Sequence, residues 1–234
     1  MKLTRVTFTG IDKWTDLQRL SSLSQKYPYA EFGLLVSKDW KENGPRFPDP
    51  AIIWEIAKCW SHQPIPLSCH LCGQLAMQAA HGDFSFVESL TAKELFSIFE
   101  RIQLNVKTDD LFDVLRRLPD TGKEIIVQMK STAICEKFLQ GGSPKGMSYL
   151  LDASGGRGIG TTIEILNAPG IHVGYAGGIG PENIEEKLRF LLDYPTDDEF
   201  WIDMETRVRS EDKFDLDKVE QVLIVCDSLI KNYQ

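Results

Sequence analysis

The stretch Tyr175-Ala176-Gly177-Gly178-Ile179-Gly180-Pro181-Glu182-Asn183 runs from an apolar strand through paired glycines into the start of a helix. Glycines let the backbone approach a ligand closely, and amides at a helix N-terminus are oriented to hold a phosphate. The alternative is that the glycines serve only the corner between strand and helix. A strand that feeds a helix in this way indicates an α/β protein with a parallel sheet.

On both sides of this stretch, short apolar runs recur with helix-like segments between them, which is the pattern of alternating strands and helices. The chain has 234 residues, close to the roughly 250 typical of an α/β barrel, and no interior stretch resembles a domain linker. The sequence therefore predicts one (β/α)8 TIM barrel over residues 1–234, with the glycine turn after strand seven, the usual phosphate position. The eight strands are predicted at Thr4–Thr9, Glu31–Ser37, Pro66–Leu71, Arg101–Asn105, Glu124–Lys130, Met147–Asp152, Ile171–Ala176 and Glu199–Met204.

Helix boundaries follow from apolar periodicity and capping residues. The last helix is predicted from about Asp215 to Lys231, with one apolar stripe. The seventh is expected to have Pro181 in its first turn. Thr91-Ala92-Lys93-Glu94 reads as a capping box, which predicts two short helices in the third crossover. The polar insertion Ser37–Pro50 is expected to face the substrate.

The amino-acid composition limits the classes of partner that the protein is expected to bind. A net charge of −8 and a pI near 5.1 argue against nucleic acid or an anionic membrane as the main partner, although a local cationic pocket can still bind a phosphorylated small molecule. No apolar run is long enough to cross a bilayer, and the N-terminus lacks a signal-peptide pattern. Five cysteines, mostly in apolar segments, predict reduced thiols in the cytoplasm. No cofactor is expected, and a homodimer is compatible with the sequence.

A second motif, Leu150-Leu151-Asp152 followed by a glycine-rich loop, ends strand six. An acid at the end of an apolar strand points into the barrel mouth, where partial burial favours general-acid chemistry. Gly155 and Gly156 indicate a loop that folds over a ligand. The alternative is a carboxylate that caps the following turn.

With these blocks in place, the chain resembles phosphoribosylanthranilate isomerase, the tryptophan-pathway barrel of the ribulose-phosphate-binding type. The resemblance spans essentially the whole chain in order, and its most specific blocks lie on strands six and seven. The matching segments are Thr7–Ile11 for the family's Lys-Ile-Cys-Gly, Gly44–Phe47 for Ser-Pro-Arg, Gln103–Val106 for Gln-Leu-His-Gly, Leu150–Gly158 for Leu-Leu-Asp with its Gly-Gly-x-Gly loop, and Ala176–Asn183 for Ala-Gly-Gly-Leu-x-Pro-Glu-Asn.

The resemblance implies an isomerase that carries out an Amadori rearrangement of an aminoaldose to an aminoketose. It places the general acid at Asp152 and a carboxylate-binding arginine at Arg46. It also places the phosphate at Gly177 and Gly178, and a substrate contact at Gln103.

The chain differs from the family's sequence pattern at two places that matter for the reaction. The family's base, a cysteine, is replaced by Thr9, whose hydroxyl is too weak an acid to supply an alkoxide near neutral pH. In the eighth loop the family's Ser-Ser-Gly-Val-Glu becomes Glu205–Arg209, which removes a glycine from the phosphate cradle. Either Arg207 or Arg209 supplies positive charge to the phosphate in place of this glycine, or these side chains are simply exposed to solvent at the rim of the barrel.

Several residues are candidates for the missing base. Strand three ends in Cys69-His70-Leu71-Cys72, and one of His70 or Cys72 is expected to face the mouth, as a base or as a buried structural group. A zinc or redox role for the Cys-x-x-Cys spacing lacks a second Cys/His pair nearby. Lys130 either forms an imine or makes a salt bridge across the mouth. Of Asp203 and Glu205, at most one is expected to face inward, and either could serve as the base or as a structural carboxylate.

The sequence is compatible with three functions. The first is the isomerase with a non-standard base. The second is a lyase that forms a Schiff base on Lys130. The third is a barrel that binds a sugar phosphate or carboxylate without this turnover. No metal ligand set is predicted for any of them.

Overall fold

The computed structural model describes residues 1–39, 41, 44–62, 64–85, 98–106, 111–152, 154 and 162–233. Eight parallel strands follow one another around a closed barrel, and the eighth pairs with the first. The predicted TIM barrel is confirmed, with strand ends within two residues of those expected. The strands are β1 Lys2–Thr9, β2 Ala30–Val36, β3 Leu67–Leu71, β4 Phe99–Leu104, β5 Glu124–Met129, β6 Met147–Asp152, β7 Val173–Ala176 and β8 Glu199–Met204.

Helices surround the barrel, and none in the described part of the chain is long and apolar enough to span a membrane. Their bounds are α1 Leu17–Lys26, α2 Pro50–His62, α3 Gln74–Ala80, α4 Phe112–Leu115, α5 Thr132–Leu139, α6 Ile184–Leu192 and α7 Leu216–Tyr233. The predicted start of α7 is confirmed to within one residue. The capping box at residues 91–94 lies outside the described residues.

Helix α6 begins later than predicted, so Pro181 precedes it instead of standing in its first turn. The side chain of Asn183 closes the turn before the helix. Its Oδ1 accepts a hydrogen bond of 3.0 Å from the Gly180 amide, and its Nδ2 donates one of 2.9 Å to the Gly178 carbonyl. The glycine turn is therefore held by a side-chain bridge.

The main hydrophobic core lies between the strands and the helices, because alternate strand residues face outward. On β1, Val6 and Phe8 belong to this core, whereas Thr7 and Thr9 are buried polar residues that hydrogen-bond to residues of β2 and β8. The predicted stripe of α7 packs against it through Val219, Val222, Leu223, Cys226 and Leu229.

The barrel interior is unusually polar. Arg101 of β4 forms a buried ion pair with Glu31 of β2, its Nε donating to Oε2 at 2.8 Å, and its guanidinium lies 4.7 Å from the ring centre of Trp201. Trp201 packs with Ile126 and Leu150 in a small second cluster. Most barrels fill this space with bulky branched side chains, so an ion pair and a tryptophan take that place here.

A short hairpin follows β8 and is fixed to the loop after β1. Its strands are β9 Arg209–Ser210 and β10 Lys213–Phe214. Arg209 donates to Asp12 at 2.8 Å and to the Gly10 carbonyl at 2.6 Å, and Asp12 also accepts from the Phe214 amide at 2.8 Å. The hairpin therefore occupies a set position at the barrel rim.

Candidate active site

A cavity of about 450 Å³ opens at the C-terminal ends of the strands, where enzymes of this fold carry their active sites. Its floor includes Leu150 of the small interior cluster. Gly155 and Gly156 lie outside the described residues. The predicted site residues that line the cavity are Arg46, His70, Cys72, Gln103, Lys130, Asp152, Gly177, Gly178, Glu205 and Arg207.

Asp152 is held rigidly at the end of β6. Its Oδ2 accepts a hydrogen bond of 2.8 Å from Gln128, and its Oδ1 accepts from the amide and the hydroxyl of Ser154 at 2.9 and 2.6 Å. The residue is 4% exposed and lines the cavity. Asp152 therefore caps the turn that follows it, which is the alternative to a general acid that the sequence allowed. At the same time it faces the space where a ligand would lie.

Asp203 is the second buried carboxyl group of the site. Thr9 does not line the cavity, but its hydroxyl donates a hydrogen bond of 2.8 Å to Asp203 Oδ1. Burial raises the pKa of Asp203 to about 7, outweighing the hydrogen bond from Thr9, which lowers it. A carboxyl group with a pKa near the working pH is suited to proton transfer, and this one adjoins the position of the absent cysteine.

The two carboxyl groups lie in one row of the barrel. Asp152 pairs with Ala176 on β7, and the pairing of Tyr175 with Ile202 places Ala176 beside Asp203 on β8. Neighbouring strands lie about 4.8 Å apart, so the two Cα atoms are separated by roughly 10 Å. The small side chain of Ala176 leaves the space between them open to the cavity.

The expectation that at most one of Asp203 and Glu205 faces inward is wrong, since both line the cavity. Asp203 lies within β8, whereas Glu205 follows the end of the strand and precedes the 3-10 turn Thr206–Val208. The same correction applies to strand three, where His70 and Cys72 both line the cavity.

Neither group at the end of β3 is an effective base at pH 7, because His70 is too weakly basic and Cys72 keeps its proton. Burial lowers the pKa of His70 to about 3, so its imidazole is neutral and weakly basic at pH 7. Burial raises the pKa of Cys72 to about 11, which keeps the sulfur as a thiol. His70 instead shares a hydrogen bond of 3.0 Å with Ser68, and all five cysteines are free.

Lys130 stands at the end of β5, exposed at the cavity edge. Within the described part of the chain it makes no ion pair, so the expected salt bridge across the mouth is not found there. Schiff-base lysines are activated by removal from water, and this lysine remains in contact with it.

The glycine turn after β7 forms one wall of the cavity. Gly177 and Gly178 have φ angles of 111° and 65°, which favour glycine over residues with a side chain. A Cβ atom at Gly180 would come within 2.4 Å of the Cβ of Arg207. The side chain of Arg207 is thus close to the turn, whereas Arg209 is buried in its ion pair with Asp12.

Arg46 reaches the cavity from the loop after β2 and is already bound by carboxylates of this chain. Its Nη1 donates to Glu205 and its Nη2 to Asp212, each at 2.8 Å. Burial raises the pKa of Glu205 despite the nearby charge of Arg46. The predicted carboxylate-binding arginine therefore has intramolecular partners.

Gln103 contributes an unsatisfied group to the cavity. Its amide nitrogen donates to Asn105 at 2.8 Å, while its buried Oε1 has no hydrogen-bond partner among the residues that the structure describes. An unpaired buried acceptor carries a free-energy cost that a donor on a bound ligand would remove.

Comparisons with known proteins relate the chain to barrel enzymes by structure only. Neither protein-family models nor curated proteins give a match. The structure of N-(5'-phosphoribosyl)anthranilate isomerase from Pyrococcus furiosus is 17% identical, with a TM-score of 0.59 over 96% of this chain and 99% of that chain. The phosphoribosyl anthranilate isomerase from Thermococcus kodakaraensis is 17% identical, with a TM-score of 0.55 over 95% and 98% of the two chains.

A third similar structure comes from another enzyme class. A truncated 3-deoxy-D-arabino-heptulosonate 7-phosphate synthase from Thermotoga maritima is 8% identical, with a TM-score of 0.58 over 99% of this chain and 88% of that chain. At such identities the likeness shows the barrel fold alone. Membership of the phosphoribosylanthranilate isomerase family stays a prediction.

The sequence left Asp203 as a candidate base only as an alternative to Glu205, with a structural carboxylate as the default interpretation of either. A signal for it was present, because Asp203 ends the apolar run Phe200–Ile202 just as Asp152 ends Tyr149–Leu151. Both acids stand at the carboxyl end of a buried strand, the position that faces the barrel mouth.

Proposed function

We propose that the protein isomerises a phosphorylated aminoaldose to the corresponding aminoketose, the reaction implied by its resemblance to phosphoribosylanthranilate isomerase. The observation that carries the proposal is the placement of Asp152 and Asp203 in one row, two strands apart, on either side of the cavity. A general acid and a general base so placed can act on the ring oxygen and on C2 of one sugar.

In this reaction Asp152 gives a proton to the ring oxygen as the C1–O bond breaks, and the nitrogen lone pair forms a C1=N iminium. Asp203 then removes the proton from C2. The C2–H electron pair becomes the C1=C2 bond, and the iminium electrons return to nitrogen. Addition of a proton at C1 and loss of the proton from the C2 hydroxyl give the ketose.

The phosphate of this substrate is assigned to the glycine turn. Backbone amides of Gly177 and Gly178 approach a ligand without obstruction by side chains. Arg207 and Lys130, exposed at the cavity edge, supply positive charge. The orphaned Oε1 of Gln103 accepts a hydrogen bond from a sugar hydroxyl.

The test is exchange of the C2 hydrogen. Several 5-phosphoribosylamines that carry deuterium at C2, phosphoribosylanthranilate among them, are incubated with the protein, and loss of the label is followed by NMR. We expect loss of the label with at least one compound, and a rate reduced about 10²–10⁴-fold in Asp203→Asn.

The control variant is Glu199→Gln, which changes an exposed carboxylate paired with Lys2 at the opposite end of the same strand. It should exchange the label at the wild-type rate. Binding of these compounds without any exchange would favour a ligand-binding barrel over an isomerase. Exchange that persists in Asp203→Asn would remove Asp203 from the mechanism.

A further inference from the structure

The Arg46 guanidinium occupies a site built from three separate parts of the chain. The loop after β2 supplies Arg46, the end of β8 supplies Glu205, and the hairpin turn supplies Asp212. Two of the three guanidinium nitrogens are thus bound to carboxylates at 2.8 Å. A bidentate pair with a substrate carboxylate needs two such nitrogens at once.

The hairpin holds Asp212 in place against Arg46. Glu211 and Asp212 have φ angles of 49° and 56°, a left-handed conformation that non-glycine residues adopt at a cost. The contacts of Arg209 with Asp12 and with the Asp212 carbonyl at 2.5 Å maintain that turn. The ion pair with Arg46 is therefore supported by a rigid element of the rim.

Two guanidinium groups, those of Arg46 and Arg209, face the three carboxylates of Asp12, Glu205 and Asp212. The ammonium of Lys218, which donates to the Arg209 carbonyl at 2.6 Å, supplies a third positive charge. Of the three carboxylates, that of Glu205 lines the cavity. Arg207 and Lys130 remain available for a phosphate elsewhere on the rim.

We propose that this end of the cavity selects a substrate whose nitrogen substituent is uncharged or positively charged, and that Glu205 is the residue that recognises it. The inference rests on the proposed isomerase function and specifies its substrate class. A carboxylate on that substituent, as in anthranilate, would have to displace Glu205 or Asp212 from Arg46. Like charges brought together at a binding interface are strongly disfavoured, whereas an amide or ammonium group donates directly to Glu205.

The experiment uses three reduced product analogues that cannot be turned over. Each joins an arylamine to C1 of ribitol 5-phosphate, and they differ only in an ortho carboxylate, carboxamide or aminomethyl group. Dissociation constants are measured by titration calorimetry for the wild type, for Glu205→Gln and for the control Glu199→Gln. Thermal melting of each variant verifies that it is folded.

In the wild type, the carboxylate analogue should bind about tenfold or more weakly than the other two. Glu205→Gln should reduce or reverse this preference by a similar factor, and Glu199→Gln should leave it unchanged. Tightest binding of the carboxylate analogue by the wild type would overturn the assignment and leave the isomerase proposal standing. Failure of all three analogues to bind would overturn the isomerase proposal and the assignment together.

Discussion

Thr9 stands where the resemblance places a basic cysteine, and it cannot act as that base itself. Its hydroxyl donates to Asp203, whose burial beneath the cavity raises its pKa to about 7. A residue that substitutes for a base need not occupy the same position, because a neighbouring strand can present a carboxyl group to the same space. At this position the threonine donates a hydrogen bond to Asp203, and in the proposed mechanism the carboxylate of Asp203 is the base.

The pH dependence of kcat/KM should identify the role of Asp203. A base must be deprotonated in the free enzyme, so the part of the profile in which kcat/KM rises with pH should have a pKa near 7. Rates of label loss between pH 5 and pH 9 measure this profile. A value that instead falls through the same range would show that Asp203 is the acid and that Asp152 takes the role of base.

Replacement of Thr9 by valine should move the rising limb of this pH profile, the range in which kcat/KM increases with pH, to higher pH. The hydrogen bond from Thr9 lowers the pKa of Asp203, so its loss raises that pKa further. Above the new limb, kcat/KM should recover to within about tenfold of wild type. Thr9→Ser keeps the hydroxyl and serves as the control. A limb that stays in place in Thr9→Val would contradict the role given to this hydrogen bond.

The β-strands of this barrel show how a glycine in one strand makes space for a large side chain in the next. Gly174 of β7 pairs with Trp201 of β8, and a Cβ atom at Gly174 would lie 2.1 Å from the indole ring. Gly33 of β2 similarly makes room for Thr9, whose hydroxyl would lie 2.6 Å from an added Cβ atom. Both glycines serve close packing inside the barrel, unlike the turn glycines after β7.

Gly174→Ala should lower the free energy of unfolding by about 1–3 kcal/mol, because it forces Trp201 away from its position. In a Trp201→Leu background the same substitution should cost much less, since the ring is no longer there. Urea denaturation of the two single variants and the double variant gives this coupling energy. Additive effects would show that the indole is not what excludes a side chain at Gly174.

Inside the barrel, a buried ion pair joins two strands that are not neighbours in the sheet. Arg101 of β4 reaches across β3 to Glu31 of β2, and both side chains are almost completely buried. Burial alone would raise the pKa of Glu31, but the charge and hydrogen bonds of Arg101 outweigh burial and hold it below its usual value. The barrel interior therefore depends on the pair being complete.

Arg101→Met should lower the free energy of unfolding by about 3–5 kcal/mol, because it leaves the Glu31 carboxylate buried without its main partner. Arg101→Met combined with Glu31→Gln should be more stable than Arg101→Met alone, since the unpaired charge is gone. Urea denaturation at pH 7 compares the two. A double variant no more stable than the single one would show that the carboxylate is not the source of the loss.

Local sequence patterns were enough to predict the barrel, the bounds of its strands to within two residues, and the two motifs after β6 and β7. These features depend on local periodicity and on glycine, proline and capping residues that act within a few positions of one another. The common inward direction of Asp203 and Glu205 was not predicted, because Glu205 lies beyond the end of β8, where the period of a strand no longer applies.

The hydrogen-bond and ion-pair partners of the site residues, in contrast, follow from the three-dimensional arrangement of the chain. Arg46 meets Glu205 and Asp212 from positions 159 and 166 residues away along the chain, and no local pattern encodes such a contact. The raised pKa of Asp203 likewise comes from burial by several strands at once. Charge pairing and desolvation depend on distances in space, and these exist only after the barrel has closed.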